Sequence, residues 1–468
     1  MARNVVLFCL DSARRDVFER SATRLSARAD VTFTQCRAAS SWSAPSHASM
    51  FTGDLPHRHG VHVHDPHFDS IPRSETFLGE MPDHEALGIS ANVFASPAYG
   101  FDTWFDRFVE VSTGRRFTGG IDPNAFYVES DATGLARHAA FVRAALTSDH
   151  PLQSLANGTL ATINVLSRDA PIPKLLDDGA NTVAREARRL TEAATEPYFL
   201  FTNLEDTHMP HRPVWAYDGD SYDAPADFST DDAGVWEVID DVEGHREYLE
   251  HFRDLYAAST AYVDRTLDSL VDSLQARSDR ETTFLITGDH GENLGTPEDE
   301  NLLGHKSSLS EGVLHVPLVV VNPPEGFDST VEEYVSHLDL PTLVTGLARG
   351  ETPDITRERV PAEILGMSPG PDPPEDYDAD YWDRAMRCVY EDETKWVWDS
   401  EGGRERVDID RDRPCWQSVA EADATLPEWI DDYFENEVTT AKDAAMAAET
   451  AADVDAATEQ RLEDLGYM

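Results

Sequence analysis

The sequence predicts an α/β protein: a mostly parallel central sheet flanked by helices on both faces, followed by a small C-terminal α+β subdomain. Three observations predict it. Short apolar runs alternate with helical patterns, as in sheets whose strands are joined by crossover helices. Several of these runs end in polar residues, which in open α/β sheets gather beyond the carboxyl ends of the strands. The 468 residues, 40% hydrophobic and 9% aromatic, are enough for one large domain with an appendage.

Residues 4–10 form the first expected strand, because the apolar run is too short for a secretion signal and Asp11 follows it at once. Further strands are expected at 88–93, 198–204, 283–287 and 317–321. Helices are expected at 180–194 and 248–275, where Leu, Tyr and Val recur three and four apart. Residues 115–175 read as an insertion of helices and loops over the cleft of a catalytic domain spanning 1–365. From 366 to 380 the chain turns rich in Pro, Gly and Asp, which marks a boundary. Beyond it, 375–468 reads as the subdomain, with one strand at 385–398, another at 404–409, and a solvated surface helix in the Ala/Asp/Glu-rich tail 439–468. No stretch approaches the ~20 apolar residues of a membrane span.

Acidic residues outnumber basic ones 88 to 38, a net charge of −50, and only Lys174, Lys306, Lys395 and Lys442 are lysine. Such a surface excludes general nucleic-acid binding, which needs a basic face to displace counterions. It fits a halophilic protein in a cytoplasm of molar salt, where the Debye length falls to about 3 Å and self-repulsion is screened. Cys9, Cys36, Cys388 and Cys415 have neither the spacing of a zinc site nor that of a disulfide framework.

Four segments carry chemistry. Asp11-Ser12 follows the first strand, where a carboxylate can hold a hard divalent cation. In Ser43-Ala44-Pro45-Ser46-His47, Pro45 pre-sets a helix start and leaves Ser43 at its N-terminus, a seat for an attacking oxygen and the anion it attacks. In Glu205-Asp206-Thr207-His208, His208 ends a buried strand as a donor to an anionic substrate or as a general acid. Asp289-His290, in a turn opened by glycines, offers an oxygen and a nitrogen ligand, with Gly304-His305-Lys306 shortly after.

Together these segments resemble the sulfatase family of the alkaline phosphatase superfamily. Ser43-Ala44-Pro45-Ser46-His47 and Thr52-Gly53 stand in the register of the family's nucleophile signature, Asp11 matches its first metal ligand, and Asp289-His290-Gly291 its late Asp-His-Gly or Asp-Asn-Gly. Asp206-Thr207-His208 matches its Asp-x-His, Lys306 its substrate lysine, and 461–467 its usual ending. The resemblance implies an alkaline-phosphatase-like sandwich and one divalent ion (Mn, Ca, Mg or Zn) on Asp11, Ser43, Asp289 and His290. It also implies catalytic roles for Ser43, His47, His208, His305 and Lys306. The sequence departs at His47, where the family has arginine, and at Ser12, where many members have a second Asp; 88–92 is the nearest equivalent of a Gly-Lys-Trp-His segment.

Two enzymatic readings follow. One is hydrolysis of a sulfate ester with Ser43, or its formylglycine form, as nucleophile. The other is a phosphodiesterase, phosphonate monoester hydrolase or phosphotransferase using unmodified Ser43. The substrate is in either case a small anionic ester: a sulfated or phosphorylated sugar, lipid or aryl alcohol. A non-catalytic binding module is the third reading, and the retention of Asp11, Asp289 and His290 counts against it.

The charge balance generates one prediction. Dialysis from molar salt into dilute buffer will unfold the chain, seen as loss of the circular dichroism of its helices, because unscreened carboxylates repel over about 30 Å at about 0.01 M. Retention of structure in dilute buffer would refute the salt-adapted reading.

Overall fold

The strand Asn4–Leu10 (β1) is buried along its whole length and pairs in parallel on both sides. Its unbroken apolar run is that of a strand covered on both faces. The computed structural model describes residues 2–112, 114–130, 132–167, 170–448 and 454–464. After β1 the chain forms β2 (Val31–Arg37), β3 (Glu85–Ser90), β4 (Arg107–Glu110), β5 (Tyr198–Leu204) and β6 (Thr282–Gly288). A short pair, β7 (Asn293–Leu294) and β8 (Leu303–Gly304), precedes β9 (Leu318–Val321) and β10 (Thr330–Ser336). The main sheet has the order β10-β2-β9-β6-β1-β5-β3-β4, and β9 is its antiparallel member.

Side chains of β1 alternate between two cores. Val5, Leu7 and Cys9 join Phe199, Phe201 and Leu285 on one face, under the helix Ser43–Thr52. Val6, Phe8 and Leu10 join Leu200, Phe284 and Ile286 on the other, under the helices Ala180–Glu192 and Arg246–Gln275. Register then positions the chemistry. Leu10 lies level with Leu204 of β5 and Gly288 of β6. The next residue of each of these neighbouring strands, Asp11, Glu205 and Asp289, therefore leaves the sheet along the same carboxyl edge.

A second, antiparallel sheet runs in chain order through β11 (Arg359–Leu365), β12 (Ala385–Glu391), β13 (Thr394–Asp399), β14 (Arg404–Ile409) and β15 (Gln417–Ala422). It corrects three expectations. Residues 385–398 form a hairpin, because Asp392 adopts a left-handed φ of 52° and turns the chain back. β11 pairs with β12, so this sheet begins before residue 365 and the Pro-rich stretch is a loop inside it. The tail is no free surface helix: Val438–Ala447 buries Val438, Ala441 and Ala445, spaced three and four apart, against the sheet. From the helix Ala456–Asp464, Arg461 pairs with Glu110 at 2.7 Å and donates to the carbonyls of Ala91 and Val111. Residues 449–453 and 465–468, which include the end of the family-like C-terminal segment, lie outside the described residues, as do 131 and 168–169 of the insertion.

Leu285, in the middle of β6, tests the sheet as the scaffold of the site. Leu285→Ala will cost about 2–5 kcal/mol, measured by denaturant titration in molar salt. A loss below about 1 kcal/mol would show that the core does not depend on that strand.

Candidate active site

Asp11, Asp289 and His290 are fully buried, and one ligating atom of each lies within 4.8 Å of the others. The turn after β1 shapes this cluster. Ser12 takes a left-handed φ of 57°, and its N–H donates to Asp289 Oδ1 at 3.1 Å. The His290 N–H donates to the same oxygen at 2.9 Å, whereas Asp289 Oδ2 is buried with no hydrogen bond. His290 Nδ1 lies 2.8 Å from the Gly291 carbonyl and so carries the proton, which leaves Nε2 as a lone pair toward the carboxylates.

Burial and the neighbouring Asp289 raise the Asp11 carboxyl to about 7, against the pull of His290, Asn92 and Ser12. Burial also acts to raise Asp289, but His290 and His47 outweigh it and hold this carboxyl below its usual range. Two carboxylates, one with an oxygen that no donor meets, and an imidazole nitrogen in one buried pocket fit a hard-to-borderline divalent cation, which would neutralise the pair.

Ser43 opens its helix at the first position behind Trp42, with Pro45 in the first turn, and no side chain caps this end. Its Oγ is therefore directed elsewhere. It accepts from Asn92 Nδ2 at 2.9 Å and lies 3.4 Å from His290 Nε2. The amide of Asn92 is fixed in this sense because its Oδ1 accepts from the N–H groups of Phe94 and Ala95 at 2.7 and 3.1 Å. The same Nδ2 donates to Asp11 Oδ2, joining Ser43 and Asp11. Ser46, one turn on, donates to the Asp289 carbonyl at 2.6 Å and pins the helix to the end of β6.

His47 stands behind the site. Its ring packs between Phe101 and Phe201, with Nδ1 2.6 Å from the Ser43 carbonyl and Nε2 3.2 Å from Asn203 Nδ2. Burial lowers its pKa, and the two bonds define a neutral ring with the proton on Nδ1. It lies one helical turn behind Ser43, bonded to that residue's carbonyl and 3.9 Å from Asp289 Oδ2.

His208 and His305 line the open side, their Nε2 atoms 3.4 Å apart, with the His305 ring 4.6 Å from that of His290. Lys306 is buried next to them but turns to the 366–380 loop, donating to the carbonyls of Ser368 at 3.0 Å and Pro369 at 2.5 Å. Burial brings its ammonium down to about 7. Of the residues singled out from sequence, Asp11, Ser43, Asp289, His290, His208 and His305 converge on one edge, while His47 lies behind it and Lys306 beside it.

The site also holds residues that sequence reasoning missed. Asn92 fell inside the strand expected at 88–93, in the segment set beside the family's Gly-Lys-Trp-His, but nothing there marked its side chain for the site. Glu205 had one: it follows β5 as Asp11 follows β1. Both oxygens of Glu205 and of Glu292 are buried without a hydrogen bond, and burial beside Asp11 pushes both carboxyls well above their usual range. Glu205 and His208 open onto a cavity of about 320 Å³, whose other walls include Tyr127, Arg137 and Val165 of the segment 115–175 and Arg461 of the tail. No described helix is long and apolar enough to cross a membrane.

Comparison with known proteins agrees with this architecture. Residues 3–350 match the family model described as Sulfatase. A 176-residue stretch is 24% identical to the uncharacterized sulfatase YidJ of Escherichia coli strain K12, over 35% of this chain and 34% of that protein; the match thus spans about a third of the relative's length. Among solved structures, a 2-O GAG sulfatase superposes with a TM-score of 0.57 at 15% identity, covering 98% of this chain and 96% of its own. A phosphonate monoester hydrolase from Silicibacter pomeroyi superposes with a TM-score of 0.55 at 16% identity, covering 92% and 93%. The family match runs from β1 through the main sheet to the helix Leu340–Arg349, and so takes in each residue of the buried cluster: the chain belongs to the sulfatase family of the alkaline phosphatase superfamily.

Proposed function

We propose that the chain is a metal-dependent hydrolase of a small anionic ester, foremost a sulfate ester, with the side-chain oxygen of residue 43 as nucleophile. One observation carries this reading: Ser43 Oγ, Asp11, Asp289 and His290 meet in one buried cluster at the carboxyl edge of the sheet. Asp11, Asp289 and His290, with the oxygen of residue 43, would hold one divalent ion of the Mn, Ca, Mg or Zn class. Such an ion, when bound, neutralises the ester's charge and favours the ionised nucleophile.

The chain's own groups do the rest. The Asn92 amide and the N-terminus of the Ser43–Thr52 helix orient the attacking oxygen and the anion. His208 Nδ1 is bonded to the Met209 carbonyl and carries a proton, so His208 Nε2 is an acceptor and the proton shared with His305 resides on His305 Nε2. That N–H would hydrogen-bond the leaving alcohol oxygen and stabilise the charge it gains as the S–O or P–O bond breaks, and the oxygen then takes its proton from solvent. Lys306 stands close enough to Glu292 and His305 for their charges to act on one another, and would add a positive charge near the anion on release from the 366–380 loop.

A formylglycine at residue 43 would place its hydrate oxygen in the same seat and would serve a sulfate ester. A specific observation favours the second reading, a phosphodiester or phosphonate monoester cleaved by unmodified serine. The family's arginine is here a neutral His47, so this residue puts no cation behind the nucleophile. A cytoplasmic, salt-rich setting rests on composition.

Three measurements test the proposal. Ser43→Ala will lower kcat by at least about 10³-fold while the fold persists. An aryl sulfate and an aryl phosphodiester assayed together, with mass spectrometry of the peptide bearing residue 43, separate the readings: an aldehyde with sulfate turnover selects the first, an intact serine with phosphodiester turnover the second. Turnover of neither would refute both. Asp289→Asn will lower bound metal, measured by elemental analysis, and activity together, because an amide cannot supply the lost charge. Full metal content in that variant would displace Asp289 from the ligand set.

A further inference from the structure

The insertion carries a surface unlike the rest of the molecule. Among the described residues, eight of the twelve large apolar side chains that are exposed lie between residues 135 and 175. Leu135 is 89% exposed, Leu152 84% and Val165 69%. On the helix Gly134–Thr147 the exposed residues Leu135, Val142 and Leu146 follow one another by seven and four, which sets them on one stripe. On the helix Pro151–Ser167, Leu152 and Ile163 stand eleven apart, again on one stripe. The pair closes through Phe141, whose ring occupies the space a Cβ at Gly158 would need. The apolar residues outside are therefore surplus to its core. Trp215, 72% exposed, is bonded by its backbone to Lys174 at the insertion's end, beside the exposed Leu175.

Charge singles out the same segment. In a chain with 88 carboxylates, Asp149 is the sole acidic residue from 134 to 167, against Arg137 and Arg143. A surface that repels anions everywhere else lets them approach here. The same two helices also wall the cleft: Val165 and, stacked 5.0 Å above the Tyr127 ring, Arg137 line the cavity that Glu205 and His208 open onto. An amphiphile matches both features of these helices, an apolar tail for the exposed stripes and a polar ester head for the cavity that they wall.

We propose that the helical pair 134–167 is a docking face for a lipid surface, and that the ester hydrolysed in the cleft is the anionic head of an amphiphile drawn from it. The proposal rests on the ester-hydrolase reading for its second half alone. The two helices lie flat on the surface with Leu135, Val142, Leu146, Leu152 and Ile163 in the apolar boundary and the arginines at headgroup level. In molar salt only contact-range attraction between charges survives, so the apolar side chains set the affinity and the lack of carboxylates keeps repulsion out.

The test uses the full chain in molar salt with vesicles of mixed zwitterionic and anionic phospholipid, and the variant carrying Leu135→Ser and Leu152→Ser. Both positions are exposed, so the variant keeps the core. We expect the wild type to float with the vesicles and the variant to lose at least about ten-fold in partitioning. Turnover of a soluble aryl ester should be equal in the two proteins, and turnover of a long-chain alkyl ester in vesicles should fall in the variant. Wild type that stays behind when the vesicles float overturns the proposal. So does a wild-type dimer in sedimentation that the substitutions dissociate without any flotation, since the patch would then join copies of the chain. Failure of both proteins on every ester would sink the hydrolase reading, while flotation would still decide the docking face.

Discussion

Two carboxylates share one buried pocket, and the rest of the structure answers to that constraint. Like charges about 4 Å apart repel by about 4 kcal/mol even at an effective dielectric of 20. Asp11 and Asp289 are nevertheless held together with both side chains buried. Strand register enforces the approach, since both leave β1 and β6 at the same level. The N–H groups of Ser12 and His290 satisfy one oxygen, and the Ser46 hydroxyl anchors the carbonyl of Asp289 itself. Each of these restraints lies on a rigid strand end or a helix start rather than on a free loop, so the pocket keeps its shape before any ligand arrives.

Much of this was legible in the sequence because it depends on local rules. β1 and β5 begin and end where their apolar runs do, since strands buried on both faces leave no polar alternation to blur them. Ser43 falls at a helix start because Pro45 can stand only in a first turn. Asn92, Glu205, Glu292 and Arg461 were not legible in the same way. Their roles arise from what β3, β5, the turn after β6 and the tail bring together across the sheet, and no short-range pattern records that. The strand expected at 88–93 begins at Glu85 and ends at Ser90 for a related reason: the residues after Ser90 look like strand but bend to bring Asn92 onto Ser43.

His47 shows how a matched motif can carry a different role. The spacing from Ser43 is one helical turn, which brings its Nδ1 onto the Ser43 carbonyl. Where the family has an arginine, a ring confined between two phenylalanines acts as a neutral spacer with a fixed tautomer. The substitution keeps the helix start in place while removing a charge from behind it. The C-terminal tail departs from expectation in the opposite direction. A composition that reads as solvent-facing supplies Arg461, whose guanidinium joins the ends of β3 and β4 to the cavity wall.

The four lysines carry a consequence of their own. Lys306 and Lys395 are buried and donate to the backbone carbonyls of Pro369 and Leu309, in segments leading toward β12 and away from β8. Lys174 and Lys442 keep only 18% and 13% of their side chains exposed, paired with Asp178 and Glu401. None of the four projects into solvent. Lysine has thus been withdrawn from the outside of the molecule, where its long stem would have to be hydrated in brine, and retained where a single flexible cation can tie chain segments together. Amine-reactive reagents therefore meet little lysine while the protein is folded, so the rise of amine labelling becomes a probe of its unfolding.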